Sequence, residues 1–402
     1  MKRISILMAT AFVDMIGFAM IFPLLPFYAL RFDAPEWLIG WMIAVFSIAQ
    51  LASAPLWGRI SDKYGRRPAI IAGLLAGAVS FTVFGFATSI WMLFLSRLIQ
   101  GVGGGTTGVL QAYVGDASAP KDRARALGWL TSATSAGVMV GPAIGSLAYS
   151  LGPAAPGLIA AALCLINVVF AARWLPEPRP HDQEVGDGGD GRASGPTRSI
   201  KEAMWEVLSA PRRQVCRLIW IYAVGMLGFM STTAIMALYL ESEFGVTAQT
   251  IGIFFVLVGG MGVVMRALIL GRLVDRFGET RVMRLGATSL ALGIFLIPSA
   301  PSLLIFGLMM CLIPIGTALL FPTVSALVSH RVPKKELGQA MGVQQAFGGM
   351  ARVIGPIWAT AAFQGLGVHV PFYVASAVVV LVVVLASRIP TAGAMGDPAE
   401  VL

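Results

Sequence analysis

A chain of 402 residues that is 57% hydrophobic and only 12% charged has too little polar surface to clothe a water-soluble globule, so its composition assigns it to a membrane. Three scattered cysteines (Cys164, Cys216, Cys311) exclude a disulfide framework, and three distant histidines (His181, His330, His369) exclude a metal cluster of the usual spacing; no metal or cofactor is expected. The formal charge of +9 follows from where the basic residues fall along the spans, and nucleic acid is not needed as a partner to explain it.

A helix needs about 20 apolar residues to cross the hydrocarbon. Twelve such runs follow one another, at about 5–30, 37–59, 69–88, 91–115, 126–150, 156–175, 215–240, 249–271, 282–298, 302–329, 338–365 and 370–388. The opening MKRISILM resembles a signal peptide, but Asp14 interrupts its apolar core and the run continues to Leu30, which makes it the first span. With the N-terminus in the cytoplasm, Lys2, Arg3, Arg59, Lys63, Arg66, Arg67, Lys121, Arg123, Arg125, Arg272, Arg276, Arg281, Arg331, Lys334, Lys335 and Arg388 fall inside and only Arg31 falls outside. The positive-inside rule then places both termini in the cytoplasm of a multi-pass protein of the plasma membrane, the inner membrane of a bacterium.

Four segments follow: a six-helix bundle over 1–175, a Gly/Asp-rich cytoplasmic linker over 176–213, a second bundle over 214–390 and a tail over 391–402. At the end of the linker, residues 200–208 carry apolar side chains at helical spacing with charges opposite, the pattern of a short interfacial helix; a disordered continuation is the alternative. The two bundles are copies. Gly58-Arg59-Ile60-Ser61-Asp62-Lys63-Tyr64-Gly65-Arg66-Arg67 returns about 213 residues later as Gly271-Arg272-Leu273-Val274-Asp275-Arg276-Phe277-Gly278-Glu279-Thr280-Arg281. Leu127-Gly128 and Gly141-Pro142 likewise recur as Met341-Gly342 and Gly355-Pro356.

In the charged stretch, Gly58 and Gly65 are expected to permit a tight reversal between spans two and three. Asp62 is an acid placed to meet the positive N-terminal end of a helix, and span eleven, which begins near Leu337, is such a helix. In the fifth span Gly137, Gly141 and Gly145 recur every four residues on one face, where a neighbouring helix can approach closely, and Pro142 bends the span or removes one of its hydrogen bonds. Gly103-Gly104-Gly105-Thr106-Thr107-Gly108 matches a dinucleotide fingerprint but lies inside a span and follows no strand, so packing is the expected role. No phosphate-binding G-x-x-x-x-G-K-[ST] stretch exists, and no catalytic residues are expected.

Together the charged stretch, Leu95-Ser96-Arg97-Leu98-Ile99-Gln100-Gly101-Val102-Gly103 and Gly137-Val138-Met139-Val140-Gly141-Pro142-Ala143-Ile144-Gly145 resemble the signatures of the major facilitator superfamily. The last of them tracks with drug/proton antiporters. Asp14, Gly17, Pro23, Pro26, Ser61, Asp62, Gly65 to Pro68 and Trp91 to Leu93 look most like the tetracycline/proton antiporter group. The resemblance implies an all-α membrane protein, twelve transmembrane helices in two pseudo-symmetric six-helix bundles, that exports by alternating access. It also implies that Arg66 and Asp116 join Asp62 in a charge cluster at the inner ends, and that Gly58, Gly65 and Arg67 belong to the same gating stretch. The group's third-span acid is Ser80 here and its eighth-span amide is Arg266, so tetracycline itself is not the expected substrate.

Asp14 is the one carboxylate deep in a span, and holding a charge there costs about 2.5–3.5 kcal/mol. Taking a carboxylate out of water disfavours its charged form while a nearby cation such as Arg97 favours it, a balance that suits Asp14 with Arg97 as the proton-coupling residues. A fixed ion pair is the alternative, with Arg97 as partner; Arg97, Arg266 and Arg352 are the basic residues inside spans. A cavity between the bundles is expected to be lined by Phe18, Gln50, Gln111, Phe229, Gln344, Gln345 and Arg352. The expected activity is proton-coupled export of amphipathic drugs or small metabolites by a monomer in contact with lipid. Export of a sugar or anionic metabolite remains open, as does a sensor or lipid-handling protein that does not transport.

Overall fold

The computed structural model describes residues 2–119, 122–178, 200–211, 213–333 and 336–389. Most of the expected linker (179–199), the tail after 389, His181, Lys121, Lys334 and Lys335 lie outside the described residues. Among the described residues the regular structure is helical throughout, and each of the twelve apolar runs holds helix.

The first run is α1 (Lys2–Ile21), a 3₁₀ turn at Phe22–Leu24 and α2 (Leu25–Leu30); Pro23 and Pro26 sit in the first turns of the short pieces, where a missing N–H is tolerated. Next come α3 (Glu36–Tyr64) and α4 (Arg66–Gly85). The fourth run is α5 (Ile90–Gly104) and α6 (Thr107–Ala117), followed by α7 (Arg123–Tyr149) and α8 (Ala155–Trp174). A short amphipathic α9 (Ile200–Ser209) precedes α10 (Gln214–Phe244). The eighth run is α11 (Ile251–Val264), a π-helical turn at Met265–Ile269 and α12 (Leu270–Phe277). Then follow α13 (Glu279–Leu296), α14 (Leu303–Met310) with α15 (Leu312–Arg331), α16 (Leu337–Leu366) and α17 (Val370–Ser387).

Among the described residues nine helical segments are long and apolar enough to cross a membrane. The remaining runs, α5 with α6, α7 and α16, are diluted by Gly, Ser, Thr and Gln. That dilution is costly against lipid and useful against water.

The chain divides into two compact units, Met1–Gly188 with Ala237–Gly259, and Gly189–Met236 with Gly260–Leu402. The end of α10 and the start of α11 thus pack with the first unit, although they belong to the second repeat.

Lipid is as apolar as a protein core, so close backbone approach and buried hydrogen bonds, more than the hydrophobic effect, hold such helices together. In the first unit Ser80 donates to Ser96 O at 2.7 Å and Asn167 to Thr10 O at 2.9 Å. In the second, Ser289 donates to Leu312 O at 2.8 Å and Ser376 to Ala291 O at 2.9 Å. The glycine run at the α5–α6 break is a packing surface: a Cβ on Gly103 would lie 2.9 Å from Ala76 Cβ, and one on Gly104 3.1 Å from Gln50 Nε2.

One contact is made twice, once in each unit. Arg67, at the start of α4, donates to Ala172 O in the last turn of α8. Arg284 on α13 donates to Ala386 O and Ser387 O at the end of α17, both at 3.0 Å, and to Ile389 O at 2.6 Å. A guanidinium at a helix C-terminus satisfies carbonyls that have no intrahelical partner and meets the negative end of the dipole.

Candidate functional site

The charged stretch is almost entirely helix. Residues 58–64 form the last two turns of α3, Arg66 begins α4, and Gly65 alone makes the reversal, at φ +100°. Only a residue without a Cβ takes that conformation cheaply. Gly58 does not help to turn the chain, as the sequence had suggested. It lies inside α3 with open space where a Cβ would be, because a one-residue turn leaves nothing for a second glycine to do.

Compressing the reversal into one residue brings three elements together around Arg66. Its side chain is almost buried and bonds Asp62 at 2.8 Å, Asp116 at 2.9 Å and Ser61 Oγ at 2.6 Å. Asp62 is largely exposed whereas Asp116, at the end of α6, is mostly covered. The Asp116 bond therefore carries more of the energy: an exposed pair contributes about 0.2–1 kcal/mol, but stripping one partner from a buried pair costs about 3–5 kcal/mol.

The sequence pointed to an acid at a helix N-terminus, and within the first unit the structure has one, formed by a different residue. Glu177, just past α8, accepts from the backbone N–H of Arg66 at 2.8 Å and of Arg67 at 2.9 Å. These are orphan donors of the first turn of α4, at the positive end of its dipole. Next to it the hydroxyl of Tyr113 on α6 donates to Pro176 O at 2.6 Å. Glu177 was missed because it sits in a polar stretch after a span. The legible signal was an acid between two prolines, Pro176 and Pro178, which hold its backbone extended.

Asp14 lies at mid-length on α1, partly covered, and among the described residues it has no hydrogen-bonded or ion-paired partner. Its electrostatic neighbour is Cys164 on α8. The fixed pair with Arg97, left open as the alternative, is not formed among the described residues. α1 packs chiefly on α7 and α8 whereas α5 packs on α3 and α4, so the two residues stand on helices that are not close neighbours. Arg97 is 1% exposed, its guanidinium lies 6.0 Å from the Phe84 ring, and its Nε and Nη2 have no partner among the described residues. Ser80, which occupies the place of an acid in the tetracycline group, is a buried donor between α4 and α5.

α7 presents two faces of small residues. On one, a Cβ at Gly137 would lie 2.5 Å from Phe12 O, one at Gly141 2.6 Å from Ala19 Cβ, and one at Gly145 would overlap Met20 O, so α1 lies directly on this helix. On the other, Pro142 and Ser146 meet the start of α11: Ser146 Oγ accepts from Gly252 N at 2.9 Å, and a Cβ on Gly252 would lie 2.5 Å from Pro142 O. The second unit repeats the first face, with Gly355 of α16 on Met230 and Ser231 of α10.

The expected cavity residues separate. Phe18 is ringed by Phe22 and Phe46 at 6.0 and 5.3 Å, and Gln50 donates to Gly104 O at 3.1 Å across the α5–α6 break. Gln111 on α6 and Gln345 on α16 are exposed along their spans, and Arg352 is half-buried. Phe229 packs against Phe321 with the ring centroids 6.3 Å apart and the planes tilted by 60°. Gln344 does not line an opening. It is fully buried and donates to Ser325 Oγ at 2.8 Å, because one residue along a helix turns the side chain by about 100° and only one of two neighbouring glutamines can face out. Arg266 is exposed on the π-helical turn of the eighth run.

A sequence model described as Major Facilitator Superfamily matches residues 7–313 and 218–399. Multidrug resistance protein 1 of Bacillus subtilis (strain 168) is 29% identical over 379 residues, covering 93% of this chain and 92% of its own. The class B tetracycline resistance protein of Escherichia coli is 27% identical over 358 residues, covering 88% and 86%. Among solved structures, the human organic anion transporter TETRAN superposes with a TM-score of 0.70 at 22% identity, covering 96% of this chain and 99% of that one. The nucleoside transporter NupG superposes with a TM-score of 0.76 at 14% identity and the same coverage.

Proposed function

The chain belongs to the major facilitator superfamily of membrane transporters, and from that premise we propose that it is a proton-coupled exporter of amphipathic drugs or small metabolites. One observation carries the proton coupling: Asp14, in the first span, is an acid with no partner among the described residues. An antiporter needs a group that is charged in one state and neutral in another, and a fixed ion pair would prevent that. Export in place of uptake is supported by relatives named for resistance to many drugs and to tetracycline. The proposed setting is the plasma membrane of a bacterium, with both termini in the cytoplasm and the protein acting as a monomer. Asp62, Arg66 and Asp116 would hold the cytoplasmic ends of the first bundle together while the transporter is closed on that side.

A second reading, export of an anionic metabolite, is favoured by the two unpartnered nitrogens of Arg97. A buried guanidinium without partners is costly, and a carboxylate or phosphate on the transported molecule would relieve it.

The purified protein in proteoliposomes distinguishes these readings. Amphipathic cations added on the side from which transport starts are expected to move protons the opposite way, at a rate that saturates. Proton flux driven only by anionic compounds would favour the second reading. Absence of flux with either class would remove proton-coupled export altogether.

A further inference from the structure

The two repeats make the same junction with the charges exchanged. In the first unit a glycine of positive φ, Gly65, is followed by Arg66 at the head of α4, which pairs with Asp116, the next-to-last residue of α6. In the second unit a glycine of positive φ, Gly278, is followed by Glu279 at the head of α13. Glu279 pairs with His330, the next-to-last residue of α15, at 3.3 Å between Oε2 and Nδ1. Asp275 stands four residues before Glu279 as Asp62 stands four before Arg66.

The exchange changes how the junction answers to protons. Arg66 and Asp116 are an arginine and a carboxylate, which both keep their charge in neutral water. An imidazole is the side chain that ordinarily changes charge between about pH 5 and 8. His330 is well exposed while Glu279 is mostly covered, so water delivers protons to the imidazole and the carboxylate stays in place to receive it. The charged groups that bear on the pair are Glu279 from α13 and Arg331 beside His330 on α15, which also acts electrostatically on Glu279; Asp275 stands at the end of α12, four residues before Glu279.

We infer that His330 and Glu279 form a proton-binding site, separate from Asp14, that fastens the head of α13 to the end of α15 when the solution on that side is acidic. A neutral imidazole offers Glu279 a neutral hydrogen bond; an imidazolium offers a charge-assisted one, about twice as strong. The site responds to pH on one side of the membrane and needs no transported molecule, so it holds whether or not the transporter is proton-coupled.

Hydrogen exchange on the full-length protein in nanodiscs tests this without a substrate. Over pH 5.5 to 8, after correction for intrinsic exchange, wild-type peptides covering 275–283 and 326–333 should lose about two- to fivefold protection as pH rises, the range of an exposed ion pair. His330→Gln should remain at the unprotected level and His330→Arg at the protected level throughout, and Glu279→Gln should abolish the response. The Arg66–Asp116 junction serves as an internal control and should stay flat. A wild-type profile that follows His330→Gln at every pH, or a response that survives in Glu279→Gln, would overturn the proposal. The exposed position of His330 allows its two variants to fold, and Glu279→Gln keeps the shape of the side chain it replaces.

Discussion

Glu177 shows how much a single carboxylate can organise at the residue scale. It closes the head of α4 through two backbone N–H groups and fixes the start of the linker against the charged turn. Glu177→Gln keeps the shape and removes the charge, so both bonds lose their charge assistance. The expected cost is about 1–3 kcal/mol, read as a lower midpoint in thermal unfolding of the purified protein. An unchanged midpoint would mean that water caps α4 equally well. The acids around Arg66 should divide differently. Asp62→Asn removes an exposed partner and is expected to leave insertion and stability nearly unchanged while slowing transport. Asp116→Asn removes a covered one and should lower stability by about 3–5 kcal/mol. Equal losses of stability in the two variants would contradict this division. The residue types in this cluster were legible in the sequence; the partner of the helix terminus was not, because Glu177 and Arg66 are 111 residues apart and nothing in either segment points to the other.

At the element scale, α7 was readable as a close-packed helix from glycines every four residues, but spacing cannot say which neighbour they meet. The structure puts Gly137, Gly141 and Gly145 against α1 and gives Pro142 and Ser146 to α11. Gly141→Leu drives a branched side chain into Ala19 and Ile16 O, where backbone stands in the way, and rigid helices cannot give by the needed distance. Purification of that variant should yield little monodisperse protein, or protein that inserts but does not transport. Normal yield together with normal transport would show that α1 and α7 separate more easily than their packing indicates. The break between α5 and α6 was partly legible in the same way: three successive glycines marked thin packing, while the interruption at Gly105 and Thr106 depends on contacts with α3 and α4 that no local pattern records.

At the scale of the whole molecule, composition, twelve apolar runs and a repeat of about 213 residues were enough to name the architecture, because a bilayer permits few solutions and duplication leaves its period in the chain. Side-chain pairing was not legible at this scale. Asp14 and Arg97 look like natural partners as two rare charges in one half, but their helices pack on different neighbours, α1 on α7 and α8 and α5 on α3 and α4. Where the sequence left a fixed ion pair open as the alternative, the structure has an acid without a partner among the described residues and a guanidinium facing an aromatic ring. The central claim is that this acid carries the coupling proton. The direct measurement is export against a concentration gradient in proteoliposomes, with and without an imposed pH difference, for the wild type and Asp14→Asn. The wild type should concentrate its substrate only when the pH difference is present, whereas the Asn variant should still exchange substrate downhill and fail to concentrate it. An Asn variant that still accumulates substrate in response to the pH difference would contradict the claim and move the coupling site elsewhere.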